Sequence, residues 1–255
     1  MRLPRRIACL LAAFLAYAYC GAEPPVSPDR TPPRYKTENI HDPDGIGKFY
    51  MGREIAIVMG HLGAGWLERP EREKEEQPKK LLAILDLKPG QVVADIGAGS
   101  GYHSVRMAKK VGLRGKVLAV DIQKEMLDII RTRMKQEDIP NIEPILGTET
   151  DPKLPAGGVD LALMVDVYHE FAYPFEMTEA LVKALKPGGR LVFVEFRKED
   201  RTVPIKELHK MTKDQVLREM GPHPLRHVKT VESLPWQHVI IFEKKPAEKK
   251  EKSAK

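Results

Sequence analysis

Apolar residues along the middle of the chain fall into short runs, each bounded by glycine, proline or charged residues. Seven of these runs have the length and composition of buried strands, and most are separated by stretches whose apolar positions recur at helical spacing. This alternation predicts an α/β protein built around a single sheet. The predicted strands begin at Val92, Lys116, Ile142, Val159, Arg190, His227 and His238.

The first run continues into a glycine-rich turn. It reads VVADI and leads into Gly97, Gly99 and Gly101, with Asp95 just before them. Residues without a Cβ atom permit tight turning and let backbone N–H groups approach a ligand closely. The dinucleotide fingerprint would need its third glycine at position 102, where this chain has Tyr102. The turn therefore predicts a nucleotide-type pocket and disfavours a nicotinamide oxidoreductase.

The second run ends in an acid, Asp121, about twenty residues beyond the glycines. A carboxylate at that place can accept hydrogen bonds from both hydroxyls of a ribose. An alternative is that Asp121 caps the following helix, and one residue can serve both purposes.

These motifs, together with LKPGG before the fifth run, resemble motifs I and III of class I S-adenosylmethionine (SAM) methyltransferases. The resemblance covers roughly residues 75–245. It implies a three-layer, Rossmann-like α/β fold whose seven-stranded mixed sheet has the order 3-2-1-4-5-7-6, with the last strand antiparallel. It also implies SAM as the cofactor, with the adenine reached from Thr148 or Glu149. The implied cofactor-binding residues are Asp95, Gly97, Gly99, Gly101, Asp121, Ile122, Thr148 and Asp166.

The fourth run ends in Asp166-Val167-Tyr168-His169-Glu170, at the sheet edge where such enzymes place the methyl acceptor. Methyl transfer depends mainly on alignment, and a base is needed only if the acceptor must lose a proton. His169 is the candidate base because imidazole titrates near neutral pH. Tyr168 and Glu195 are further candidate catalytic residues. Alternatively, His169 only starts a helix or packs.

A metal site is a weaker alternative at the same edge. Asp166, Glu195 and His209 together have the chemistry of a divalent-cation site, as in metal-dependent catechol-type methyltransferases. Those enzymes also need a neighbouring acid-amide pair, which this sequence lacks. We therefore assign no metal ligand from the sequence.

The net charge of +6 belongs to the two ends of the chain. Residues 244–255 carry a net charge of +4, and Arg2, Arg5 and Arg6 add three, which leaves the middle near −1. Lysine runs such as EKKEKSAK are usually solvated tails. This distribution argues against nucleic-acid binding by the folded core.

The chain begins like an exported protein. Three arginines precede an apolar stretch that is too short to span a bilayer, which predicts a signal peptide over residues 1–22 and a periplasmic or extracellular location. The pair Arg5-Arg6 suggests the twin-arginine route as an alternative, and Cys20 offers a possible lipid anchor. The chain's two cysteines, Cys9 and Cys20, both lie in this segment, so no core thiol chemistry is expected.

Further boundaries follow from composition. Residues 23–43 are rich in proline and predict a disordered tether, and residues 246–255 predict a disordered tail. Residues 91–245 form the predicted SAM-binding domain. Residues 44–90 predict a helical cap, because apolar positions in 47–68 have helical spacing. We expect this cap to act as a lid over the pocket, or else Trp66 packs in the core and residues 68–76 are a charged surface loop.

The sequence therefore predicts an exported SAM-dependent methyltransferase that acts on a small molecule. The alternative is an exported protein of the same fold that binds SAM or a nucleotide without transferring a methyl group.

Overall fold

The computed structural model describes residues 34–246. The predicted signal peptide, the Cys20 anchor, most of the tether and most of the tail lie outside this range. No helix within residues 34–246 is long and apolar enough to cross a membrane. The strands are β1 (Tyr35–Thr37), β2 (Gly45–Tyr50), β3 (Arg53–Ala56), β4 (Val92–Ile96), β5 (Lys116–Asp121), β6 (Ile142–Leu146), β7 (Val159–Val165), β8 (Leu185–Phe196), β9 (Leu225–Val231) and β10 (Gln237–Lys244). The helices are α1 (Arg72–Glu75), α2 (Pro78–Leu85), α3 (Tyr102–Val111), α4 (Lys124–Gln136), α5 (Pro174–Ala184) and α6 (Lys213–Met220), with short 3₁₀ helices at His61–Glu68, Tyr168–Glu170 and Glu207–His209.

The seven predicted strands are β4 to β10, and they form one mixed sheet in the order β6-β5-β4-β7-β8-β10-β9. The strands from β6 to β8 are parallel, whereas β10 is antiparallel to both β8 and β9. The predicted fold class, strand order and antiparallel last strand are therefore confirmed.

Apolar residues cover both faces of this sheet, which makes the protein three layers deep. Val93 packs on one face in a cluster with residues of α2, α3 and α4, while Ala94 and Ile96 pack on the other face with residues of α5 and α6. Parallel strands buried on both faces read as continuous apolar runs, which is why the sequence revealed them. The carboxyl ends of β4, β5, β7 and β8 consequently lie along one edge, where the candidate site is found.

The predicted helical cap over residues 44–90 is wrong in its first part. Residues 45–56 instead form β2 and β3, and β2 pairs antiparallel with β1 on one side and β3 on the other in a separate three-stranded sheet. The chain reverses at Met51 and Gly52, which both have positive φ, and this places Tyr50 and Ile55 in the interior. The apolar spacing that resembled a helix is thus divided between a hairpin and the segment after it.

Part of the predicted disordered tether forms a strand. Strand β1 lies within residues 23–43, and the Tyr35 hydroxyl donates a 2.5 Å hydrogen bond to Glu176 of α5. The Tyr35 ring packs against Tyr50, with the ring centroids 5.4 Å apart. These contacts join the start of the described chain to the main domain.

Candidate functional site

A cavity of about 550 Å³ opens at the carboxyl edge of the main sheet. Its floor comes from the ends of β4, β5, β7 and β8, and its roof from Ile57–Met59 after β3 and from residues 204–206 and His209. Its volume lies within the range of small-ligand sites. The three-stranded N-terminal sheet therefore leads directly into the cover of the pocket.

Two of the three predicted glycines line this cavity, and the third does not. Gly97 and Gly99 have φ of 67° and 54°, and a Cβ atom at Gly97 would lie 2.4 Å from Val167 Cγ2. Gly101 also has positive φ, but a Cβ atom there would lie 3.0 Å from Ile130 of α4. Gly101 therefore permits the close packing of α3 on α4, and its predicted contact with the cofactor does not fit this position.

Asp121 links the glycine turn to the cavity. Its Oδ2 accepts a 2.9 Å hydrogen bond from the Gly99 N–H, and its Oδ1 accepts one of 2.9 Å from the Gln123 N–H. Burial raises the pKa of Asp121, while these backbone donors lower it. Both oxygens keep a further lone pair, so a ribose can bridge them. The helix-capping alternative is not what the structure shows, because α4 begins after Gln123 and has no side-chain cap.

Asp166 lines the cavity and carries an unpaired acceptor. Its Oδ2 accepts a 2.6 Å hydrogen bond from Gln237, whereas its buried Oδ1 has no hydrogen-bond partner among the described residues. Burial raises the pKa of Asp166 well above its ordinary value, and the nearby Glu76 and Glu195 raise it further. A buried acceptor without a donor fits a ligand that brings a cationic donor, such as the ammonium group of SAM.

Of the remaining predicted cofactor residues, Ile122 and Thr148 line the cavity, and Asp95 does not. Asp95 lies beneath the glycine turn, where its Oδ2 accepts a 2.6 Å hydrogen bond from the Ser104 hydroxyl of α3. Burial raises the pKa of Asp95 to about 7. Its predicted direct contact with the cofactor is therefore replaced by a contact that ties the turn to α3.

His169 lies in the cavity wall with only 2% of its surface exposed. Its Nδ1 is 2.6 Å from Glu195 Oε2, and its Nε2 is 3.2 Å from His209 Nδ1. Burial lowers the pKa of His169, but the Glu195 carboxylate outweighs it and the net shift is upward. Glu195 is fully buried, outside the cavity wall, and also accepts the Tyr168 N–H at 3.0 Å. Its position is that of a residue that orients His169, not of one that touches a substrate.

Tyr168 does not have the position predicted for it. Its hydroxyl donates a 2.8 Å hydrogen bond to Glu219 of α6, and its ring packs edge-on against Phe193. The side chain is fully buried and the cavity wall within residues 34–246 does not include it. Its backbone and ring belong to the core, because the 3₁₀ helix at 168–170 directs successive side chains to different sides.

Arg72 is a cavity residue that the sequence analysis missed. It is 3% exposed, its Nε donates to Glu76 at 2.5 Å, and one Nη donates to the Leu67 carbonyl at 2.9 Å. The surrounding run ERPEREKEE has no apolar periodicity, so nothing in it signalled burial. Leu67 and the 43% exposed Trp66 also line the cavity, which fits the lid interpretation of this segment and not the core interpretation.

Comparisons with known proteins agree with this geometry. Residues 93–189 match the family model described as "Methyltransferase domain". A SAM-dependent methyltransferase structure from Aquifex aeolicus superposes with a TM-score of 0.69 at 26% identity, over 73% of this chain and all of that one. A protein-L-isoaspartate O-methyltransferase from Methanococcus aeolicus is 32% identical over 108 residues, covering 42% of this chain and 47% of that protein. A ubiquinone/menaquinone biosynthesis C-methyltransferase from Hydrogenovibrio crunogenus is 30% identical over 118 residues, covering 46% of each.

The fold is that of the class I methyltransferases. The matches to a methyltransferase domain and to a SAM-dependent methyltransferase structure indicate SAM as the cofactor. The residues present fit that cofactor, with the glycine turn, Asp121 for the ribose and the unpaired Asp166 oxygen for the ammonium group. The chain spans about half or less of the length of the curated relatives that it matches.

Proposed function

We propose that this protein transfers the methyl group of SAM to a small-molecule acceptor. The observation that carries the proposal is the single cavity wall shared by the cofactor residues and by a polar cluster of His169, Glu170 and His209. The glycine turn and Asp121 follow β4 and form the end of β5, whereas His169 and Glu170 follow β7 and His209 lies before α6. An acceptor bound at the cluster would therefore meet the cofactor within the same cavity.

The covered cavity supports a small acceptor over a protein. Residues Ile57–Met59 lie over the sheet edge, and the Met59 N–H donates a 3.2 Å hydrogen bond to Glu170 Oε1. The Met59 carbonyl also accepts a 3.0 Å hydrogen bond from the Gln123 side chain. The roof is thus fastened on both sides of the pocket, and a polypeptide segment would have to displace it.

The reaction needs alignment of acceptor atom, methyl carbon and sulfur more than any other factor. The acceptor atom attacks the methyl carbon, the carbon–sulfur bond breaks, and its electrons remain on sulfur. The buried Glu195 holds the His169 ring in one orientation, so the acceptor end of the pocket is preorganised. That His169 acts as a base stays a prediction.

The test is to supply the full chain with methyl-labelled SAM and a cell extract separated into a small-molecule fraction and a macromolecular fraction. We expect label in a small-molecule product, and much less with an Asp121→Ala variant at the same SAM concentration. Label that enters only macromolecules would refute the small-molecule acceptor. Binding of SAM without any transfer, across acceptors of both fractions, would favour the alternative of a SAM-binding protein without methyl transfer.

A further inference from the structure

Three metal-binding side chains converge on the cavity from two short 3₁₀ helices. His169 and Glu170 come from the helix after β7, and His209 comes from the helix before α6. All three line the cavity, and their candidate ligand atoms lie within 4.8 Å of one another. We propose that His169 Nε2, His209 Nδ1 and Glu170 Oε1 bind one divalent transition-metal ion of the zinc type.

The distances between these atoms match a tetrahedral site. His169 Nε2 lies 3.2 Å from His209 Nδ1, which lies 3.5 Å from Glu170 Oε1, and the third edge measures 4.0 Å. Ligand atoms at about 2.0 to 2.1 Å from a tetrahedral ion are separated by roughly 3.3 to 3.5 Å. An ion therefore fits between the three atoms with side-chain shifts of a few tenths of an ångström.

The surrounding hydrogen bonds prepare two of these side chains as ligands. Glu195 accepts a bond from His169 Nδ1 at 2.6 Å, which leaves the lone pair on Nε2 directed toward the cluster. A carboxylate behind a histidine in this way orients the ring and strengthens it as a ligand. The Met59 N–H in turn fixes the Glu170 carboxylate.

Local charge also favours a cation. Two carboxylates, Glu170 and Glu195, surround two imidazoles within a few ångströms. The buried Arg53 is engaged by Glu219 at 2.7 Å and by the His169 carbonyl at 3.1 Å. Lys206, which also lines the cavity, pairs with Asp44. Neither positive side chain neutralises the cluster itself.

Two histidines and one carboxylate leave the fourth coordination position open, and the open side faces the cavity. Catalytic zinc sites have the same composition of three protein ligands and one exchangeable position. If the proposed function holds, this position would take an oxygen atom of the acceptor. The metal, and not His169 as a base, would then favour release of that oxygen's proton to solvent, and the resulting oxyanion would attack the methyl carbon as the carbon–sulfur bond breaks. The acceptor class is therefore an alcohol, a phenol or an enol.

The site differs from the one weighed from the sequence. Of Asp166, Glu195 and His209, only His209 is a ligand here. Glu195 lies behind His169, and Asp166 is held by Gln237.

The test is metal binding by the full chain after a chelator has removed any bound metal. Binding is measured by calorimetry with Zn²⁺ and by visible absorption with Co²⁺. We expect one equivalent per chain, with absorption bands of four-coordinate Co²⁺. His209→Ala should lower the affinity at least a hundredfold, and Glu195→Gln should lower it about ten- to a hundredfold through His169. His227→Ala is the matched control, because His227 is exposed on β9. This variant should bind the metal as tightly as the wild type does.

His209 is the ligand of choice for substitution because its side chain is partly exposed and its removal leaves Glu195 and His169 paired. Circular dichroism and SAM affinity report whether each variant is folded. Wild-type protein that binds less than one equivalent would overturn the proposal, and so would folded His209→Ala and Glu170→Ala variants that bind as tightly as the wild type. Methyl transfer by metal-free protein would refute the proposed role of the metal and support the proposed methyltransferase function. Binding of one metal equivalent without methyl transfer would support the metal site and refute the proposed function.

Discussion

Replacing Asp121 with alanine tests the cofactor assignment most directly. The substitution removes the two carboxylate oxygens that we assign to the ribose hydroxyls, and hydrogen bonds to a charged group contribute about 1.5 kcal/mol or more each. A loss of about 3 kcal/mol corresponds to roughly a 150-fold weaker dissociation constant. Calorimetry with S-adenosylhomocysteine, the demethylated product, measures it without turnover.

The structure also predicts a cost to the fold, which must be separated from the cost to binding. Without Asp121, the N–H groups of Gly99 and Gln123 lose their acceptor. Each unpaired buried donor costs about 1 to 3 kcal/mol in the free energy of unfolding. A product analogue without the ribose hydroxyls isolates the ligand contribution, because its affinity should fall much less in the variant.

Asp160 provides the matched control. Its Oδ2 accepts a 2.8 Å hydrogen bond from the Val92 N–H, and it pairs with Lys186, at the opposite edge of the sheet. Asp160→Ala should lower stability but leave the dissociation constant within about threefold of the wild type. Equal affinities for Asp121→Ala and wild type, or equal losses for the two variants, would refute the reasoning.

Three further outcomes are expected. The pKa of Asp95 is about 7 in the folded chain and ordinarily 3.8, so the folded state binds more protons than the unfolded state between these values. The free energy of unfolding therefore falls as pH rises from about 4 to 7. Asp95→Asn should flatten this pH dependence in thermal melts, and an unchanged slope would contradict the reasoning. Tyr168→Phe should lower the melting temperature by removing the bond to Glu219 while turnover stays within a fewfold, and a hundredfold loss would return Tyr168 to the acceptor site. Finally, we propose that the protein is exported after cleavage near residue 22, which N-terminal sequencing from the native host decides; an intact Arg2 on cytosolic protein would exclude it.

The main sheet was predictable because its signals are local. The parallel strands β4, β5, β7 and β8 are buried on both faces and appear as apolar runs, and Asp121 stands directly at the end of one. The strands β1 to β3 gave no such signal, because all three are short, β2 is interrupted by Gly45 and Gly47, and the strands are defined by pairing between segments.

The candidate site was predictable as a set of strand ends and not as a set of contacts. Tyr168 and His169 are neighbours in sequence, yet one packs against Phe193 and the other faces the cavity. The different directions of these two side chains depend on the 3₁₀ helix at 168–170, and no residue in the sequence signals where that helix begins. Arg72 was equally hidden, because its burial requires Glu76 and the Leu67 carbonyl to be placed around it by the fold.

The buried acids of the cavity give the site a preference for positive charge. Asp121 and Asp166 both line it, and burial raises the pKa of each because the ionised forms have lost water. A cationic ligand stabilises these carboxylates, whereas a neutral ligand does not offset the free-energy cost of burying them away from water. SAM carries a positive sulfonium and its product does not. The product keeps the ribose and the ammonium group, so loss of the sulfonium charge would weaken the attraction of these acids for the ligand without removing the contacts assigned to Asp121 and Asp166.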